Sequence, residues 1–306
     1  MTGVKSALQA IIATYTRERP GRVLAVYMDG SVADGTDLAT SDLDLTVVFK
    51  DAFGDEGEGQ TFERLQGELS STMALELDIG QVDEATLRVE GMHPTLKLAS
   101  RLVWGEDIRD RFPIMPIERW TRDRMHAAYW LTNKLYGRPT LVRLPLAYPD
   151  PDDEFFGYLR RAVRLPDGSE VPSSRDLIRS TGWAATVLLA YQKGVYVARK
   201  RDCHLLYRER IGDAWSGLLA AIYDDCRTRW GYLIPRDKDE RAQLRAICER
   251  TLAFENHALS AYRRFLLDEL RSENAEAHAL AAKVQGMLPL ADAEVTEALA
   301  SVAAAR

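Results

Sequence analysis

Apolar positions change their period about a third of the way along the chain. Val4, Leu8, Ile11, Ile12 and Tyr15 form a stripe at helical spacing and predict a helix over 4–17, stopped by Pro20 and Gly21. Arg22–Met28 and Leu43–Phe49 are apolar, β-branched runs that predict strands, and ALELDI at Ala74–Ile79 predicts a third. Between them, 51–60 is a charged, Gly-rich loop and 61–72 carries Phe62, Leu65 and Leu69 on one helical face. A further strand-and-helix passage ends in SRLVWGEDIRD, where Leu102–Trp104 is apolar and Gly105 breaks it. Beyond about residue 115 the period is 3.6. Helices are expected near 119–136, 154–164, 174–193, 201–227, 237–270 and 273–304, the alanine-rich stretch 292–306 being a surface helix. PTLVRLPLAYPDPDDE, 139–154, is a proline-rich connector. The pattern divides the chain into an α/β (α+β) domain, 1–115, and an all-α bundle, 116–306.

Composition narrows the partners. A formal net charge of −6 over 306 residues argues against a protein built to wrap nucleic acid and leaves a cationic substrate open. Cys203, Cys226 and Cys248 are too scattered for a disulfide framework or a zinc site, so buried thiols are expected. The longest apolar run, Trp183 to Tyr191, falls well short of the roughly 20 residues a membrane helix needs. With no export signal in the first residues, a cytoplasmic location is expected.

The chemistry concentrates in YMDGSVADGTDLATSDLDLTVVF. Asp29-Gly30-Ser31 closes one strand, and after ten residues, 32–41, Asp42 and Asp44 alternate with Leu43 and Leu45. Side chains alternate across a strand, so the two carboxylates share a face opposite the leucines. Glu76 and Asp78 repeat this two-residue spacing downstream. Converging carboxylates raise one another's pKa unless a cation neutralises them. Mg²⁺ takes oxygen ligands and bridges carboxylates to phosphates, and a pair of such ions suits an in-line displacement. A third acid is then free to accept a proton.

Gly30-Ser31, ten residues, then Asp42-x-Asp44 resembles the motif of the nucleotidyltransferase superfamily that contains DNA polymerase β. The two-domain plan, the acid in LELD and the VWGED passage resemble the aminoglycoside 3″-adenylyltransferases of the streptomycin/spectinomycin type. The resemblance implies a mixed sheet and a helical substrate-binding domain. It implies that Gly30, Ser31 and Ser41 contact nucleotide phosphates, that Asp42, Asp44 and the third acid Glu76 hold Mg²⁺, as two ions, and that Glu76 is the catalytic base with Asp78 as its alternative. ATP is the implied co-substrate. In GVYVARKRDCHLLYRERIGDAW, Lys200, with Arg199 beside it, matches the family's triphosphate lysine, which places the active site in a cleft between domains. A solvated basic helix start reads the same run almost equally well.

Two departures bear on the acceptor. Where the family carries an arginine about two turns before the helix-ending glycine, this chain has Thr186-Val187-Leu188, and the residues that read the antibiotic are not recognisable as a set. Asp176 falls near one of those acidic positions but also suits the first turn of an SSRD helix start. The expectation is Mg²⁺-dependent transfer of AMP from ATP to a hydroxyl of a small molecule, an aminoglycoside by resemblance. The alternatives are a toxin–antitoxin nucleotidyltransferase acting on protein or RNA, and a HEPN-like RNA-binding protein suggested by the spacing of Arg250 and His257. The oligomeric state is not legible.

Overall fold

A computed structural model describes residues 2–38, 41–54, 56–73, 76–165 and 167–304. The chain forms two compact units: Met1–Pro116 with Ala198–Lys200, and Ile117–Val197 with Arg201–Arg306.

The first unit is a mixed four-stranded sheet with helices, as the resemblance implied. Its strands are β1 (Val23–Asp29), β2 (Leu43–Phe49), β3 (Leu77–Asp83) and β4 (Arg101–Gly105), in the spatial order β3-β2-β1-β4. β2 and β3 run parallel, and β1 pairs antiparallel with both β2 and β4. One face carries Val26 and Met28, Leu43, Leu45, Val47 and Phe49, and Leu77 and Ile79. These pack against Ile11 and Tyr15 of α1 (Thr2–Glu18) and Phe62, Leu65 and Leu69 of α3 (Glu56–Thr72). The short helix α2 (Gly30–Asp34) follows β1 directly.

The opposite face is covered at one end only. There Leu24, Ala25, Tyr27 and Val48 meet Leu87 of α4 (Glu84–Glu90), Leu96 of α5 (Pro94–Leu98), and Ile108 and Phe112. The turn into α4 is fixed by Asp83, whose carboxylate accepts from the Thr86 and Phe53 amides at 2.6 and 2.7 Å. At the other end this face carries aspartates instead of apolar side chains. That asymmetry positions the site.

The second unit is mostly helical. Its apolar core joins α6 (Ile117–Lys134), α7 (Arg175–Lys193) and the long α10 (Lys238–Arg271) to α11 (Ala275–Met287) and α12 (Ala293–Ala304). Inside it the rings of Tyr129 and Tyr262 stack at 4.2 Å, and the Tyr262 hydroxyl meets His126 Nδ1 at 3.0 Å. All three cysteines are free and buried.

Several expected elements differ. The helix expected over 154–164 is absent: Asp153 accepts from the amides of Phe155 and Gly157, and φ is positive at Phe156 and Gly157, so the chain turns there. It continues as β5 (Ala162–Arg164), paired antiparallel with β6 (Glu170–Pro172). The helix expected over 201–227 is divided. A 3₁₀ turn at Lys200–Asp202 leads to α8 (Cys203–Arg210), and Gly212 at φ +68 ends the run. Asp213 then accepts from the Trp215 amide at 2.9 Å, and α9 (Ser216–Ala221) passes into a π-helical stretch, Ile222–Arg229. The span 273–304 is two helices, because Pro289 breaks it and Asp292 accepts from the Val295 amide to start α12. The helix expected over 61–72 begins earlier, at Glu56, and the strand expected from Ala74 begins at Leu77. Ala74 and Leu75, like Ala305 and Arg306 of the tail, lie outside the described residues.

Candidate active site

The strand register builds a row of acids. Asp29 pairs with Asp44 across the antiparallel β1–β2 ladder, and Asp44 pairs with Asp78 across the parallel β2–β3 ladder. Directly opposed residues in neighbouring strands lie only about 5 Å apart. Three aspartates on adjacent strands thus stand side by side at one edge of the sheet. Asp42 precedes β2 on the same face by the strand's alternation. Glu76 stands at Asp42's level, since its carbonyl accepts the Leu43 amide at 2.9 Å just ahead of β3. Asp78 and Glu76 are exposed, whereas Asp44 is 8% exposed.

Gly30 makes this packing possible. A Cβ on Gly30 would lie 2.0 Å from Asp44 Oδ2, and the residue sits at φ +70. Only glycine accepts both the contact and the left-handed backbone at low cost. The Asp44 carboxylate therefore rests directly on the turn that closes β1.

Lys200 brings the counter-charge. Its Nζ is 3.7 Å from Asp44 Oδ1, within the unit that contains the sheet. Arg199 Nε donates to Asp34 Oδ1 at 3.1 Å, which ties the 198–200 segment to α2. Burial pushes the Asp44 carboxyl up to about 7; Lys200 opposes this, while Asp42, Asp29 and Asp78 reinforce it. Burial also raises Asp29, again with Lys200 opposing and Asp78, Asp42 and Asp34 adding. Loss of hydration works against the charge on Lys200, yet Asp44, Asp42, Asp29 and Asp78 together hold its pKa above the ordinary value. With 79% of its side chain open to solvent, Lys200 is nonetheless partly screened by water. At Asp29 and Asp44, Lys200 lowers the carboxyl less than burial and the neighbouring aspartates raise it.

That imbalance is the test of whether the site suits a divalent cation. Every donor is a carboxylate oxygen, and the acids raise one another's affinity for positive charge, which fits Mg²⁺. Among the described residues, no three or more His, Cys, Asp or Glu form a closed metal cage. Mg²⁺ characteristically uses one or two carboxylates and completes its shell with water and substrate phosphates.

The other sequence-derived residues fall as follows. Ser41 Oγ accepts from the Leu38 amide at 2.9 Å, and its own amide donates to the Leu38 carbonyl, so it shapes the loop before Asp42. The Ser31 carbonyl accepts the Thr36 amide at 2.9 Å in the turn ending α2. Asp176 belongs to the second unit: it is buried in the first turn of α7, where Arg161 Nη1 donates to its Oδ1 at 3.1 Å. Arg250 and His257 both lie on α10, with the His257 ring against Trp215 and Phe254.

Reading the sequence missed a role for Asp29. The apolar run stops at Met28, so the pattern places Asp29 in the turn; carrying the alternation one residue further puts it on the face of Tyr27, at the row's end. The Arg199–Asp34 pair, between residues 165 positions apart, had no local signal.

A comparison with solved structures finds similarity to spectinomycin adenyltransferase AAD(9) from Enterococcus faecialis, crystallised with ATP and spectinomycin. The match covers 81% of this chain and 97% of that one at 14% identity, with a TM-score of 0.46. So distant a likeness carries no weight for substrate or mechanism. No curated protein gives a significant match. The family model that does match is the nucleotidyltransferase domain, over residues 10–99, which runs from within α1 to the end of α5 and contains the Gly30-Ser31 turn and all five acids at the sheet edge. The first unit of this chain carries a nucleotidyltransferase domain, the domain of an enzyme of the nucleotidyltransferase class.

Proposed function

We propose that the chain transfers AMP from ATP to a hydroxyl group of a small molecule in a Mg²⁺-dependent reaction. The observation that carries this reading is the in-register row Asp29–Asp44–Asp78, with Asp42 beside it and Lys200 3.7 Å from Asp44. Asp42 and Asp44 would hold Mg²⁺, with Glu76 or Asp78 within the same edge of the sheet. When bound, the ion neutralises the triphosphate and stabilises charge on the reacting oxygens.

The chain's own residues supply the rest. The acceptor oxygen forms a bond to the α-phosphorus as the bond to the pyrophosphate oxygen breaks, and pyrophosphate leaves. Lys200 offers a fixed cation for the charge that gathers on the leaving group. Glu76, exposed and level with Asp42 rather than inside the charged row, takes the acceptor's proton. Asp78, in register with Asp44, belongs to the cation-binding row. Glu76→Gln should therefore lower kcat by about 10²- to 10⁴-fold with little change in ATP affinity. If Asp78→Asn shows that pattern and Glu76→Gln does not, the proton goes to Asp78.

The acceptor class we propose, an aminoglycoside, rests on the resemblance of the Gly-Ser…DxD motif and on an acidic chain that suits a cationic substrate. The experiment is an acceptor screen with α-labelled ATP and Mg²⁺ against aminoglycosides, tRNA and cell proteins. Label on an aminoglycoside supports the proposal. Label on tRNA or protein alone replaces it with the toxin–antitoxin reading.

A further inference from the structure

The segment that carries Lys200 is fastened by a pair of residues that the reaction scheme does not use. Ala198–Lys200 belongs to the first unit, although it follows α7 in the chain. Residues 195–198 have no regular backbone structure, and among the described residues no backbone hydrogen bond ties 198–200 to the sheet. Two side-chain pairs reach across. Arg199 Nε donates to Asp34 Oδ1 at 3.1 Å, and Lys200 Nζ stands 3.7 Å from Asp44 Oδ1.

The two pairs are not equivalent. The Asp34 side chain is 14% open to solvent, and its contact with Arg199 is a hydrogen bond as well as an ion pair. Lys200 is far more open, and its contact with Asp44 exceeds hydrogen-bond length. A charge-assisted hydrogen bond to a shielded carboxylate is the stronger kind, and a solvated ion pair contributes little. Arg199 therefore fixes the backbone, while the Lys200 side chain stays free to turn from Asp44 to a phosphate.

Asp34 is placed to make that fixed point useful. It is the last residue of α2, which starts at Gly30, so its position follows from the same turn that supports the Asp44 carboxylate. Its charge is also close enough to raise the Asp29 carboxyl, and pairing with Arg199 offsets that added charge beside the row.

We propose that Arg199 is a positioning residue: held by Asp34, it sets the chain so that the Lys200 ammonium reaches the acid row and a triphosphate bound there. This replaces the phosphate contact that the resemblance gives to Arg199. The effect on AMP transfer rests on the nucleotidyl-transfer reading, while the placement of Lys200 does not.

Placement is read without turnover by zero-length carbodiimide coupling of the full-length, chelator-treated chain, followed by peptide mass spectrometry. The parent should form an amide between Lys200 and an aspartate of the row. Arg199→Met and Asp34→Asn should each lower that yield by at least about threefold, as the amine loses effective concentration beside the carboxylates. The double variant should lower it no further, because both changes break one pair. In steady-state kinetics each single variant, and the double variant, should lose about tenfold in kcat with ATP affinity changed by less than about threefold. In a Lys200→Met background, Arg199→Met should have no further effect on kcat. Circular dichroism checks folding, and Arg199→Met decides the matter if Asp34→Asn does not fold. The proposal is overturned by absence of the Lys200 amide in the parent, or by unchanged coupling in folded Arg199→Met protein. It is equally overturned if Arg199→Met lowers ATP affinity while Asp34→Asn behaves as the parent, or if Arg199→Met costs as much with Lys200→Met as without it. Coupling that falls as expected in a parent chain unable to transfer AMP sinks nucleotidyl transfer and leaves the positioning standing. AMP transfer by the parent with equal coupling in all variants does the reverse.

Discussion

Each unit withdraws charge from bulk water, and the two do so in opposite ways. In the second unit, Glu255 is 1% exposed and meets its match: Arg138 Nη2 and the Tyr158 hydroxyl both donate to its Oε2, at 2.7 and 2.8 Å. One carboxylate answers one guanidinium, and Arg138 also donates to the Thr132 carbonyl at 2.6 Å, fastening the turn after α6. In the first unit, burial and the neighbouring carboxylates raise Asp29 and Asp44 by more than Lys200 lowers them. A balanced pair holds two segments together. An unbalanced row costs folding energy and leaves affinity for a cation unspent, which is what a site for Mg²⁺ and triphosphate requires.

The contrast breaks first at the balanced pair. Glu255→Gln leaves a buried guanidinium without its counter-charge and should destabilise the second unit by about 3–5 kcal/mol, measured by chemical denaturation. Replacing both partners together with apolar residues of similar volume should cost less than either single change. A Glu255→Gln loss below about 1 kcal/mol would mean that this pair is no more structural than the acid row.

The unbalanced row should behave in the reverse sense. Asp44 has a folded pKa near 7 against an ordinary value of 3.8, so the folded state binds a proton more tightly than the unfolded chain. The associated stability is fully present below about pH 4 and is lost as pH rises through about 7, by at most about 4 kcal/mol. In chelator-treated protein, Asp44→Asn should be more stable than the parent at pH 8 and should flatten this part of the pH profile. A parent chain whose stability rises between pH 4 and 7 with a slope that Asp44→Asn leaves unchanged would contradict the placement of Asp44.

A smaller change sharpens the geometry. Gly30→Ala puts a methyl group where Asp44 Oδ2 lies and asks a side chain to adopt φ +70. AMP transfer should drop by about 10²-fold from misplacement of that carboxylate, with roughly 1–2 kcal/mol lost in stability. Steady-state kinetics beside a melting curve distinguish this from unfolding.

How much of this was legible depended on whether the signal was local. The strands around Asp42 and Asp44 were readable because Leu43 and Leu45 must face the core, which forces both acids to the other side. Register was not readable. That Asp78 lies level with Asp44 and Glu76 with Asp42 follows from a parallel pairing between segments more than thirty residues apart, which no short pattern encodes. Asp29 was hidden for a related reason, since its meaning appears only once β1 lies antiparallel to β2. In the helical unit, the 3.6-residue period suggested helix over 154–164, but Asp153 side-chain hydrogen bonds and a positive φ at Phe156 prevailed over it. Asp176 lies in the first turn of α7, where the SSRD pattern puts it; its partner Arg161 is out of reach of sequence alone.

The central claim is that the acid row performs nucleotidyl transfer, and the most direct measurement is transfer of α-labelled AMP by the parent chain and by Asp44→Asn, each with Mg²⁺ and with chelator. The account predicts labelled acceptor only from the parent with Mg²⁺, and a loss of at least about 10³-fold in a folded Asp44→Asn protein. Equal labelling by the two proteins, or transfer by the parent that is indifferent to chelator, would contradict it.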